Sequence, residues 1–196
     1  MKVLAVTGSI GSGKSYIVKI FNELGIPSYD SDSRTKLLYD KDRELMDSLI
    51  SLLGDDIVEN GILRRDIFAQ RIFSDKSLLS RVESLVHPAV LRDFITWCSD
   101  QECKAPFVII ESAIILRLPI FNEIISASLL VSAPLELKID RVVQRDNITR
   151  EEVLARLSNQ CDDSDSAEKV DFTIFANEKR PLLPQILDIY NKVIEL

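Results

Sequence analysis

The sequence predicts an α/β protein built on a parallel five-stranded sheet in three layers, and two patterns carry that expectation. Short apolar runs of strand length recur at residues 2–7, 27–29, 107–110, 127–132 and 172–176, rich in Val, Ile, Leu and Phe. Four of the five are nearly continuous rather than alternating, which is how strands covered on both faces read. Longer stretches with helical spacing separate them, and strands alternating with helices give a parallel sheet flanked by helices.

Taken in order, the first run meets a Gly-rich turn at Gly8, and a helical stretch over residues 14–24 follows. The second run ends in Asp30-Ser31-Asp32, at the strand end that lines the ligand crevice of an open parallel sheet. Residues 31–106 then exceed what one crossover helix needs, so an insertion is expected. Its apolar residues fall at helical spacing (Leu45, Leu49, Leu52, Leu53; Leu78, Val82, Leu85, Val86), and it carries Arg64, Arg65, Arg71, Arg81 and Arg92. It reads as a helical substrate-side subdomain, the alternative for each arginine being a solvated face. The third run closes on Glu111. After Pro134, residues 135–160 set Arg141, Arg145, Arg150 and Arg156 on a helical pattern, a candidate lid. Pro181, at a first helical position, opens a packing helix that repeats Leu182, Ile186, Ile189 and Val193.

Composition narrows the function classes. At about 150 residues per domain, 196 residues make one compact unit with insertions. With 46% hydrophobic and 28% charged residues, disordered and low-complexity classes are excluded. Lys plus Arg number 24 against 31 Asp plus Glu, a net charge of −7 that opposes generic attraction to nucleic acid or anionic lipid. Neither is expected as a partner. Cys98, Cys103 and Cys161 are an odd number without metal-ligand spacing beside a single histidine, so neither a disulfide framework nor a zinc site is supported. With no room for a signal-peptide core before Gly8 and no apolar run approaching the ~20 residues of a membrane span, a cytoplasmic location is expected. The expected state is a monomer or weak homo-oligomer.

Gly8-Ser9-Ile10-Gly11-Ser12-Gly13-Lys14-Ser15 fits G-x-x-x-x-G-K-[ST] and lies between an apolar strand and a helix, the context that the phosphate-binding loop requires. Successive backbone N–H groups turn inward around phosphate oxygens, which side chains would obstruct, so three of the chain's six glycines fall here. The helix that follows adds its positive dipole end. Lys14 is expected on the β and γ phosphates, and the Ser15 hydroxyl on a bridging Mg²⁺. The chain therefore reads as a binder of a nucleoside triphosphate, with the sheet of the phosphate-loop nucleoside-triphosphate hydrolase type.

Regulatory GTPases read guanine with a late Asn-Lys-x-Asp segment, which Asn177-Glu178-Lys179-Arg180 and Asn191-Lys192-Val193-Ile194 both fail. A small-molecule kinase fits the insertion and the arginine-bearing arm better, because phosphoryl transfer is mostly positioning and charge neutralisation. Of Asp30 and Asp32, one is a candidate proton acceptor and the other a holder of the metal's water shell; helix capping is the alternative for both. Glu111, after four apolar residues, resembles the element that orients Mg²⁺ through water, with capping or a solvent-facing role as the alternative. His87, in His87-Pro88, is by default a structural hydrogen-bonding group. Kinases of another small acceptor (nucleoside, nucleotide or shikimate-like) and a non-catalytic nucleotide switch remain the alternatives.

Together these residues resemble the dephospho-coenzyme A kinase family, over nearly the full length from Val3 to about Asn177. The resemblance runs through Thr7 to Ser15, Phe21, Leu24-Gly25, Asp30 and Asp32, the stretch from Arg65 to Phe73, and His87-Pro88. It continues through Gln144-Arg145-Asp146, Thr149-Arg150-Glu151-Glu152, Arg156 and Gln160, and Asp171-Phe172 to Asn177. It implies the last step of coenzyme A synthesis, in which the γ-phosphoryl of ATP passes to the ribose 3′-hydroxyl of dephospho-CoA. The implied parts are a nucleotide-binding core (1–32, 101–134 and 161–196), a helical CoA-side subdomain (33–100) and a lid (135–160). The implied catalytic residues are Lys14, Asp32 as the base for the 3′-hydroxyl, and Arg145 as the lid arginine, with Arg141 and Arg156 sharing its work. ATP is expected on Ser9, Ile10, Gly11, Ser12, Gly13, Lys14, Ser15, Tyr16 and Arg141, and dephospho-CoA on Asp32, Arg65 and His87. Three positions depart from the family: many members have Gly at Ser9, Thr at Tyr16 and Glu at Arg117. The acidic stretch Asp162, Asp163, Asp165 and Glu168 reads as a solvated loop.

Overall fold

The computed structural model describes residues 1–158, 170–177 and 179–196. The acidic stretch from Asp162 to Glu168, Cys161 and Gln160 lie outside them. The chain divides into two compact units, residues 1–30 with 100–196, and residues 31–99.

In the first unit β1 (Lys2–Thr7) passes through the phosphate-loop segment into α1 (Lys14–Glu23), and β2 (Ser28–Asp30) follows. Later elements are β5 (Phe107–Glu111), β6 (Ala127–Ser132), α6 (Leu135–Asp146), α7 (Arg150–Ser158), β7 (Phe172–Phe175) and α8 (Leu182–Glu195). The strands form one parallel sheet in the order β2-β5-β1-β6-β7. This is the five-stranded sheet that the apolar runs predict, each run lying within a residue of its strand. Leu4, Val6, Phe107, Ile109, Leu129, Val131 and Ile174 face a core shared with Ile17 and Phe21 of α1 and Ile186, Ile189 and Val193 of α8. Their neighbours Val3, Ala5, Val108, Ile110 and Leu130 are buried as well, so both faces are covered. Burying one such Leu, Ile, Val or Phe side chain contributes about 1.5–3 kcal/mol relative to exposure. Pro181 stands just before α8, as its N-cap, rather than at the first helical position. Among the described residues no helix is long and apolar enough to cross a membrane.

The second unit holds α2 (Ser31–Lys41), α3 (Arg43–Leu53), α4 (Arg65–Ser74) and most of α5 (Lys76–Gln101). Asp42 caps α3 by accepting a hydrogen bond from the Leu45 N–H at 3.0 Å. Arg34 Nε and Nη2 donate to the two Asp93 oxygens at 2.8 and 2.7 Å, tying α2 to α5. Leu45, Leu49, Val82 and Val86 are buried, as the helical spacing predicts. The unit is not wholly helical: β3 (Val58–Glu59) and β4 (Ile62–Leu63) form an antiparallel hairpin. Its two-residue turn is Asn60-Gly61, both with positive φ (54° and 78°), the pairing that primed hairpin turns favour. Arg64, Arg65, Arg71 and Arg92 pair with acids of the same unit, among them Arg71 with Asp56 at 2.6 Å and Arg92 with Asp42 at 3.3 Å.

Candidate active site

β1 delivers the chain from the middle of the sheet into the turn Gly8 to Gly13, and α1 starts at once with Lys14. Gly11 has φ +78°, and a Cβ there would strike the Lys138 carbonyl oxygen and sit 2.9 Å from Val142 Cγ2. The loop's middle is therefore pressed against α6. Replacing Gly11 by Ala is expected to cost about 1–3 kcal/mol through backbone strain and overpacking. A urea titration measures this, and an unchanged midpoint would mean that α6 yields freely.

Lys14 Nζ donates to the Gly8 carbonyl at 2.7 Å and the Ser9 carbonyl at 3.2 Å, so its ammonium folds back over the loop. Ser15 Oγ donates to Glu111 Oε1 at 2.7 Å, and Glu111 stands in register with Asp30 on β2 and Val6 on β1. Two carboxylates thus stand on adjacent strand ends, and the hydroxyl of Ser15, at the start of α1, meets one of them. These are hard oxygen donors, the set that suits Mg²⁺. Ser12 is fully buried, and its Oγ has no hydrogen-bond partner among the described residues. Tyr16 is 62% exposed, one turn into α1.

Arg141 of α6 donates to the Gly11 and Ser12 carbonyls at 3.3 and 3.2 Å and to the Ala176 carbonyl at 3.3 Å, linking the loop to the end of β7. One turn earlier, Lys138 is buried and its Nζ donates to Ser9 Oγ at 3.0 Å. Sequence reasoning passes over Lys138, since a lysine on a charged helix reads as solvated. The signal is its place four residues before Val142, on the face that carries Ile139. Ile139, Val142 and Val153 form a small core with Ile10, Val143, Ile148 and Leu157, which packs the charged arm onto the loop.

At the end of α6, Arg145 donates to both Asp146 oxygens at 2.7 and 3.1 Å, and Arg156 of α7 donates to Asp146 Oδ2 at 3.1 Å. The hydrogen bonds from Arg145 hold the Asp146 carboxyl below the usual carboxylate range, and Arg156 adds to the effect. Arg150 and Glu136 form a bidentate pair at 2.7 Å that joins α7 to α6.

Asp32, Arg65 and His87 belong to the second unit. Asp32 lies exposed in the first turn of α2, two residues beyond the end of β2. Arg65 begins α4, with Nη2 3.5 Å from Asp40 Oδ2. His87 is half-buried within α5, before Pro88; burial holds its imidazole below the ordinary histidine range, opposed by the Glu83 carboxylate. Arg117 lies exposed at the end of a single 3₁₀ turn, Ile115–Arg117.

A family model described as dephospho-CoA kinase matches residues 2–181. A dephospho-CoA kinase of Porphyromonas gingivalis is 39% identical over 194 residues, covering 98% of this chain and 95% of its own length. One from Bacteroides fragilis is 33% identical over 186 residues, covering 95% and 90%. A crystal structure from Thermus thermophilus superposes with a TM-score of 0.81 at 29% identity, covering 99% of this chain and 96% of the other. The matched span takes in the loop, the Ser15–Glu111 pair, α6 and the whole of the second unit, so the chain belongs to the dephospho-CoA kinase family.

Proposed function

We propose that the protein transfers the γ-phosphoryl group of ATP to the ribose 3′-hydroxyl of dephospho-CoA, giving coenzyme A and ADP. The observation that carries this is the phosphate loop with Lys14 and the Ser15–Glu111 pair, in a chain that the dephospho-CoA kinase model matches over residues 2–181. The loop N–H groups and the start of α1 bind the phosphate chain, and Lys14 leaves its carbonyl partners for the β and γ phosphates. Ser15 would hold Mg²⁺, with Glu111 and Asp30 on its water shell, and the ion would supply charge neutralisation at the phosphate oxygens. Asp32 accepts the proton of the 3′-hydroxyl as its oxygen bonds to the γ phosphorus, while the bond from that phosphorus to the β–γ bridging oxygen breaks and ADP leaves. Arg141 holds the loop and Arg145 offsets charge on the transferring group, with Arg156 beside it. Arg65 and His87 belong to the acceptor side, where a neutral imidazole hydrogen-bonds without adding charge.

ADP release from Mg·ATP with dephospho-CoA, beside AMP, CMP, adenosine and shikimate at equal concentration, tests the reading. Release is expected with dephospho-CoA alone; release with another acceptor would overturn the substrate assignment, and release with none would favour a nucleotide switch. Replacing Arg145 by Ala is expected to lower kcat by about 10²–10³ with a smaller change in KM for ATP, since the contact belongs to the transition state. An effect confined to KM would make Arg145 a ground-state binding residue.

A further inference from the structure

Two lysines converge on one residue of the loop. Lys14 Nζ lies 3.2 Å from the Ser9 carbonyl oxygen, and Lys138 Nζ lies 3.0 Å from the Ser9 hydroxyl. Ser9 is 6% exposed and Lys138 8% exposed, so the second ammonium is held where burial of charge is costly. The Lys138 backbone also abuts the loop, because its carbonyl oxygen occupies the space that a Gly11 Cβ would need. One residue of α6 thus touches the loop at Ser9 through its side chain and at Gly11 through its main chain. A polyanion in the loop is the ligand chemistry that lowers the energy of both cations together.

We propose that Lys138 is a positioning residue for the nucleotide's phosphate chain, acting as a second loop lysine: it fixes the first half of the loop through Ser9 and adds positive charge behind the cradle. The proposal rests on the phosphate-loop reading and deepens it. Because the charge acts on phosphates, its contribution grows with their number. A residue that merely held the fold would affect all nucleotides alike.

The test is calorimetric titration of ATP, ADP, AMP and adenosine into the wild type, Lys138→Gln, Lys138→Arg and Ser9→Ala, with unfolding midpoints measured without nucleotide. Lys138→Gln is expected to weaken ATP by about tenfold or more and AMP by less than about threefold, the scale of one charge-assisted contact. Lys138→Arg should restore most of the ATP affinity, and Ser9→Ala should show a smaller loss in the same order of nucleotides. Equal weakening of all four ligands, or no weakening of ATP, would overturn the proposal. Should Lys138→Gln fail to fold, Ser9→Ala decides on the same criterion. A wild type whose affinity does not rise with phosphate number would instead refute the phosphate-loop reading itself.

Discussion

Lys14→Ala is expected to lower kcat/KM by about 10²–10⁴, the scale of removing a charged contact from a phosphoryl-transfer transition state. The lysine's ammonium sits on the Gly8 and Ser9 carbonyls, so it also closes the turn. Those contacts are made in a partly buried loop, and losing them affects local order as well as charge. Steady-state kinetics with both substrates varied, beside an unfolding midpoint, separates the two effects. A large fall in turnover with a small change in midpoint is the expected pair of results. A near-normal rate would remove Lys14 from the machinery.

Asp32→Asn is expected to abolish transfer by a comparable factor, about 10²–10⁴, while ATP affinity changes little. The substitution keeps size and shape but removes the carboxylate's negative charge and with it the ability to take up a proton. Asp32 lies exposed in the first turn of α2, so the variant carries no packing penalty. ATP binding by titration and CoA formation by chromatography are the two readouts. If ATP binding fell as far as turnover, Asp32 would be a metal or structural residue instead.

Much of this architecture is legible from chain chemistry. β1 reads as a strand because six consecutive residues, four of them apolar, precede a glycine, and β5 because four apolar residues end in Glu111. Burial on both faces of the sheet is what makes those runs continuous rather than alternating. The hairpin at residues 58–63 is the contrary case. Asn60-Gly61 is a strong turn signal, but its strands are only two residues long and lie between segments whose helical spacing dominates.

Candidate site positions are legible where a motif names them and opaque where packing places them. Ser9 to Ser15 follow from loop chemistry, and Glu111 is a candidate because its strand ends in an acid, while its hydrogen bond from Ser15 is a contact that only the fold shows. The contact of α6 with the loop is another, because it depends on Gly11 meeting the Lys138 backbone, a tertiary fact with no local pattern. The same contact hides Lys138. Arg145 and Arg156 read as phosphate-facing charge on a candidate lid, whereas in the fold Asp146 gathers both.

If the γ-phosphoryl group of ATP ends on the 3′-oxygen of dephospho-CoA, ATP labelled at the γ phosphorus must leave its label there. Incubation with that ATP, followed by a 3′-nucleotidase, reads the position of the label. The expected result is label in coenzyme A that the nucleotidase releases as inorganic phosphate. Label that is already inorganic phosphate before that step, or that stays on the product after it, would overturn the proposed transfer.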